Sequence, residues 1–165
     1  PGLIDINVDG CVDTNLVIAT FIQDEVAPIE PGLPEAAMNC VYGAVLNLQL
    51  EAVETSIEDM LCAAENLAPV ATEPAAHAGY VVGLAAQTTA LLAIDQATVL
   101  VGPDDPNIIA ANTLAGIGME LLENLQIPQA IKAFLDAVSQ LFDPPKPSIL
   151  VGSSRSRASV TTNSA

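Results

Sequence analysis

The stretch PAAHAGYVVGLAAQTTALLAI, residues 74–94, contains no Asp, Glu, Lys or Arg. A run of this length meets the usual criterion for a transmembrane helix. Several Ala and Thr residues, Gln87, His77 and the lack of flanking Lys or Arg argue against a membrane span. We therefore predict a central bundle helix that is buried on all sides. Gly79 and Gly83 have the spacing that lets a neighbouring helix backbone approach closely.

Helical periodicity extends this bundle in both directions. We predict one helix from Glu35 to Leu67, because its apolar residues recur every three or four positions: Leu46, Leu50, Val53, Ile57, Met60, Ala64 and Leu67. A second helix is predicted over 107–126, and a short last helix begins at Pro128. The sequence thus predicts a mainly α fold, a four- to five-helix bundle over residues 34–143.

The two ends of the chain differ from this core. We predict a short extended N-terminal segment over residues 1–33, in which LIDINV alternates apolar and polar side chains before an Asp9-Gly10 turn. Residues 16–22 fit either a strand or a buried helix capped by Asp13 or Thr14. Residues 144–165 form a Pro- and Ser-rich basic tail, which we expect to be flexible.

Composition and charge restrict the function. The 165 residues include 20 acidic and 4 basic side chains, a formal net charge of −16, which excludes nucleic-acid binding through phosphate contacts. Hydrophobic residues make up 51% and the mean hydropathy is +0.47, which excludes a disordered polyelectrolyte. Only 15% of residues are charged. We therefore expect apolar helix faces to be covered by copies of the same chain or by an apolar ligand.

The few basic residues are concentrated in the tail. Lys146, Arg155 and Arg157 lie there, whereas Lys132 is the only Lys or Arg before residue 144. The tail is therefore attracted to the acidic body. It is either a solubilising end that makes no contacts or an arm that docks on a neighbouring copy, as the self-assembly prediction requires. High salt or low pH should favour association by weakening the repulsion between acidic bodies.

Three cysteines, Cys11, Cys40 and Cys62, leave the disulfide pattern open. If residues 35–67 form one helix, Cys40 and Cys62 are about 33 Å apart and cannot pair. Cys11 can reach either of them, which leaves one thiol free or available to another chain. The equal alternative is three buried thiols that act as small hydrophobic side chains.

One short motif resembles the start of an EF-hand or dockerin calcium loop. The run Asp5-x-Asn7-x-Asp9-Gly10-x-Val12-Asp13 supplies four candidate ligands, namely Asp5, Asn7, Asp9 and Asp13. The twelfth loop position is Leu16, where such loops carry a carboxylate that closes the site. We therefore expect weak calcium binding at best, and we favour a plain Asp-Gly turn. No other cofactor is expected.

No pattern of catalytic residues is present in the sequence. His77 is the only histidine, and the sequence has no G-x-S-x-G, P-loop, G-x-G-x-x-G or Cys-x-x-Cys motif. We predict a non-enzymatic, structural protein that self-assembles as a homo-oligomer through apolar helix faces and terminal arms. The alternatives are a carrier of a fatty-acid-like apolar small molecule and, less favoured, a membrane-inserted helical protein.

The first residue bears on where the protein works. The sequence begins at Pro1 without Met, so we expect a processed N-terminus and an extracellular or cell-surface location.

Overall fold

The computed structural model of the chain describes residues 13–142. These residues form a 3-10 helix, Ala27–Gly32, and six α-helices: α1 Thr14–Val26, α2 Glu35–Gln49, α3 Val53–Leu67, α4 Glu73–Val101, α5 Pro106–Glu123 and α6 Ile127–Phe142. No strand occurs within this part of the chain. The predicted mainly α architecture is confirmed, with six helices instead of four or five.

Helix α4 lies at the centre of the bundle. It packs against α1, α3, α5 and α6, while α2 pairs with α3 and α5 pairs with α6. Many buried residues are alanines, which allow helix axes to approach closely. The larger side chains that fill the remaining space include Ile22, Leu48, Ile57, Met60, Ile131 and Phe134. The core is therefore built from close helix contacts with one fully buried aromatic ring.

Three of the helices, α1, α4 and α5, begin at residues whose side chains accept hydrogen bonds from free backbone N–H groups. Asp13 accepts from the Leu16 N–H at 3.0 Å, so it caps α1 as the sequence allowed. Thr72 accepts from the Ala75 N–H at 3.3 Å at the start of α4. Asp105 accepts from the Asn107 N–H at 2.8 Å at the start of α5.

The predicted single helix over 35–67 is wrong, because two antiparallel helices occupy this range. Helix α2 ends at Gln49 and α3 begins at Val53. The turn between them holds Glu51 at φ 62°, a backbone conformation that residues other than glycine rarely adopt. Leu50, Glu51 and Ala52 are good helix formers, so local sequence does not indicate the break. The packing of α2 on α3 therefore determines where the first helix ends and the second begins.

This break also corrects the cysteine prediction. Because the chain reverses between α2 and α3, the Cα atoms of Cys40 and Cys62 are 5.8 Å apart, and the two residues form a disulfide. The expectation that they cannot pair depended on the single helix, and it is wrong for that reason. Cys11 lies outside the described residues.

The expected extended conformation of residues 1–33 is wrong for residues 14–32. Helix α1 buries Ile18, Ile22 and Val26, which recur every four residues and form one helical face. The choice left open for residues 16–22 is therefore resolved as a helix, because this face packs on α2 and α4. The predicted extended run and turn over residues 1–12 lie outside the described residues.

Helix α4 is not buried on all sides, contrary to the prediction. It is long and apolar enough to cross a membrane, but only 28% of its most apolar 18-residue window is buried. Within the predicted stretch 74–94, Ala76, His77 and Tyr80 are exposed. Beyond it, Val99 and Leu100 are 85% and 83% exposed. The reason is length: α4 has 29 residues and α5 only 18, so the last turns of α4 have fewer neighbours.

The two predicted packing glycines of α4 behave differently. A Cβ atom built on Gly83 would lie 2.8 Å from Leu122 Cδ1, so α5 packs closely there. A Cβ atom on Gly79 would meet nothing within 4 Å, so the predicted close approach at Gly79 is wrong. Among the glycines between residues 13 and 142, the tightest contact is at Gly118, where the added atom would lie 2.6 Å from the Phe134 ring. The glycine spacing in α4 gave no sign of it.

Candidate functional site

The predicted calcium and tail residues lie largely outside the described part of the chain. Asp5, Asn7 and Asp9 fall there, as do Lys146, Arg155 and Arg157. Asp13, the remaining calcium candidate, uses its carboxylate as the helix cap of α1. Between residues 13 and 142, no three His, Cys, Asp or Glu side chains form a group that could hold a metal ion.

An acidic cluster lies on α3 where it faces α2 and α6. Asp59 accepts a hydrogen bond from Asn47 Nδ2 at 2.7 Å, and Glu54 accepts one from Ser139 Oγ at 2.7 Å. Partial burial raises the pKa of Glu58, and the negative charges of Glu54 and Asp59 raise it further. Glu54 and Asp59 therefore accept hydrogen bonds from neutral side chains, whereas burial and like charges disfavour the ionised form of Glu58.

We expect Glu58→Gln to raise the melting temperature by about 1 °C at pH 7.5, because it removes a like-charge pair with Glu54 at i, i+4 spacing. A raised folded-state pKa means that ionised Glu58 destabilises the fold. This penalty falls as pH drops through the folded pKa and is gone below the unfolded value of 4.5. Thermal melts at pH 7.5 and pH 4 should therefore show a gain only at the higher pH.

Glu65→Gln is the matched control for this substitution. It lies on the same helix and has no acidic residue three or four positions away. An equal gain for both variants at pH 7.5, or a gain for Glu58→Gln that persists at pH 4, contradicts the assignment.

Two further polar contacts link α1 and the 3-10 helix to their neighbours. His77 Nε2 lies 3.1 Å from Glu25 Oε1, so α1 supplies an acidic partner for the only histidine of the chain. The Tyr42 hydroxyl donates to the Glu30 carboxylate, and this hydrogen bond raises the pKa of Tyr42. Both pairs lie on the exposed surface and serve to join helices.

A cavity of about 250 Å³ lies between α1 and α4. Six apolar side chains line it: Val17, Ile18, Phe21, Leu84, Ala85 and Leu92. Thr14 and Thr88 add two hydroxyl groups, and on α4 Thr88 lies between Leu84 and Leu92. We call this site the α1–α4 groove. Sequence reasoning missed it because residues 16–22 were not assigned to a helix.

An exposed apolar surface lies where α4 ends and α5 begins. It consists of Val99, Leu100, Val101 and Ile109, each more than half exposed, and we call it the tip patch. Three successive helical residues point about 100° apart. The end of α4 therefore presents apolar side chains around most of its circumference.

The described residues thus form an acidic α-helical bundle with an apolar groove and an exposed apolar tip. Comparisons with protein-family models, with curated proteins and with solved structures found no match.

Proposed function

We propose that this protein is a non-enzymatic building block that associates with copies of itself through the tip patch. The observation that carries the proposal is the exposure of Val99 and Leu100, at 85% and 83%. Large apolar side chains that are clustered and exposed to this degree mark interaction sites in soluble proteins. A symmetric contact between two tips would bury the two valines, Leu100 and Ile109 of each copy.

Charge favours a second copy over a membrane as the occupant of the tip patch. Asp95, Asp104 and Asp105 flank the patch, and no Lys or Arg lies between residues 95 and 109. Anionic membranes attract basic segments and repel acidic ones. The same carboxylates repel each other across a symmetric contact, so association should strengthen as salt or acid weakens that repulsion.

The disulfide supports the proposed extracellular or cell-surface location. Cys40 and Cys62 are paired, and such bonds persist mainly in oxidising compartments. We further propose that the basic tail, with Lys146, Arg155 and Arg157, acts as an arm that docks on the acidic body of a neighbouring copy.

The double substitution Val99→Thr and Leu100→Gln tests the role of the tip patch. We expect it to weaken self-association at least a hundredfold, because each copy loses two apolar side chains from the contact. Sedimentation velocity at pH 7.5, from low to molar salt, measures the effect. The parent chain should shift to larger species as salt rises, and the variant should remain monomeric.

Leu125→Gln is the matched control, because Leu125 is also 68% exposed but lies in the turn beyond the far end of α5. It should leave association unchanged. A parent chain that is monomeric at every salt concentration refutes the proposal. So does a parent chain that binds neutral phosphatidylcholine vesicles through the tip patch without forming oligomers.

The arm is tested in the same experiment with a chain that lacks residues 148–165. Removal of Arg155 and Arg157 should weaken association most at low salt, where the attraction between tail and body is least screened. Unchanged association at low salt contradicts the proposed role of the tail as an arm, but it does not contradict the proposed contact through the tip patch.

A further inference from the structure

We infer that the α1–α4 groove is a binding site for a neutral alkyl alcohol of about eight carbons. This goes beyond self-association, because the groove lies between two helices of one chain and is distinct from the tip patch. It also changes the ligand class expected from composition, which was a fatty-acid-like molecule. Size, lining and charge each support this assignment.

The volume sets the size of the ligand. A cavity of about 250 Å³ is smaller than the usual pocket for a drug-sized molecule. It accommodates roughly eight groups of about 30 Å³ each, a volume close to that of a water molecule in the liquid. An alcohol of about eight carbons, with nine non-hydrogen atoms, is therefore close in size to the groove.

The lining makes the interior of the groove apolar. Phe21 and Leu92 pack against the core while remaining partly exposed, so the groove is open to solvent. An alkyl chain that enters would be removed from water along most of its length. Binding should therefore tighten by about fourfold for each added methylene until the groove is full.

The hydroxyl of Thr88 defines the hydrogen-bonding group that the ligand needs. The Thr88 hydroxyl already donates its proton to the Leu84 carbonyl oxygen at 3.0 Å. Its oxygen can therefore still accept a hydrogen bond but has no further proton to donate. A ligand that carries an O–H donor matches it, whereas an ester or a ketone does not. The half-buried position of Thr88 leaves that acceptor within the groove.

Charge excludes a carboxylate head group. Asp13 immediately precedes Thr14, and Asp95 lies one turn beyond Leu92, so each of the two helices that form the groove carries an acidic residue next to its lining. Neither α1 nor α4 contains a Lys or Arg residue. An anionic head would thus meet negative charge with no cation to pair with it. A neutral alcohol avoids this cost.

The test compares 1-hexanol, 1-octanol, 1-decanol and sodium octanoate by calorimetric titration of the full chain at pH 7.5. Affinity should rise about fourfold per methylene to octanol and then level off at decanol. Octanoate, with the same chain length, should bind at least tenfold more weakly than octanol. Methyl-resolved NMR should show octanol perturbing Leu84 and Leu92 and leaving Leu100 unchanged.

Thr88→Val removes the acceptor at nearly constant volume and should weaken octanol binding about fivefold. Thr98→Val is its control, because the Thr98 hydroxyl makes the same kind of bond, to the Ile94 carbonyl oxygen, elsewhere on α4. Equal affinity for octanol and octanoate overturns the proposal. So does octanol binding that appears only after residues 1–12 are removed, since the chain itself would then fill the groove.

Discussion

Reduction of the Cys40–Cys62 disulfide is expected to lower the free energy of unfolding by about 3 kcal/mol. The bond closes a loop across 22 positions of sequence, and closure of a loop of this size restricts the unfolded chain by about that amount. For a chain of this length the melting temperature should fall by roughly 10 °C. Guanidinium unfolding curves with and without a phosphine reductant measure the change.

The double variant Cys40→Ala and Cys62→Ala should show the same loss without reductant, and the reductant should then have no further effect. Cys11→Ser is the control, because it removes the one cysteine outside the pair and should leave the midpoint unchanged. A midpoint that reductant does not move, or one that Cys11→Ser lowers by a similar amount, contradicts the pairing.

The turn between α2 and α3, which brings the two cysteines together, could not be predicted from the sequence. The apolar periodicity around Ile57, Met60, Ala64 and Leu67 correctly predicted the buried face of α3. The same periodicity continued through Leu50, which is exposed in the turn. A turn built from helix-forming residues is set by tertiary packing, so local propensity carries no signal for it.

Helix ends that depend on proline, glycine or capping residues could be predicted from the sequence. Pro74 lies in the first turn of α4 and Asp105 caps α5, so both helix starts carry local sequence signals. The last helix, predicted to begin at Pro128, agrees with α6, Ile127–Phe142. These signals act within one turn of helix. The α1–α4 groove and the tip patch depend on which helices meet and how far each extends, and such information lies in long-range contacts.

Contacts at single glycines illustrate this limit, and Gly118 gives the second large expected effect. We expect Gly118→Ala to lower the free energy of unfolding by about 2 kcal/mol. Its Cβ atom would lie 2.6 to 2.9 Å from three ring carbons of Phe134, which is fully buried in the contact between α5 and α6. A buried aromatic ring cannot turn aside as a flexible side chain can, so the helices must separate.

Gly116→Ala, two residues earlier on the same helix, should act in the opposite direction. A Cβ atom there meets nothing within 4 Å, so the exposed position gains roughly 0.5–1 kcal/mol from the higher helix propensity of alanine. Urea unfolding of both variants measures the difference. In the double variant Gly118→Ala and Phe134→Leu, the smaller side chain should relieve the clash, so the loss should be less than the sum of the single losses. Additive losses, or equal effects at Gly116 and Gly118, would show that α6 does not pack against α5 at this point.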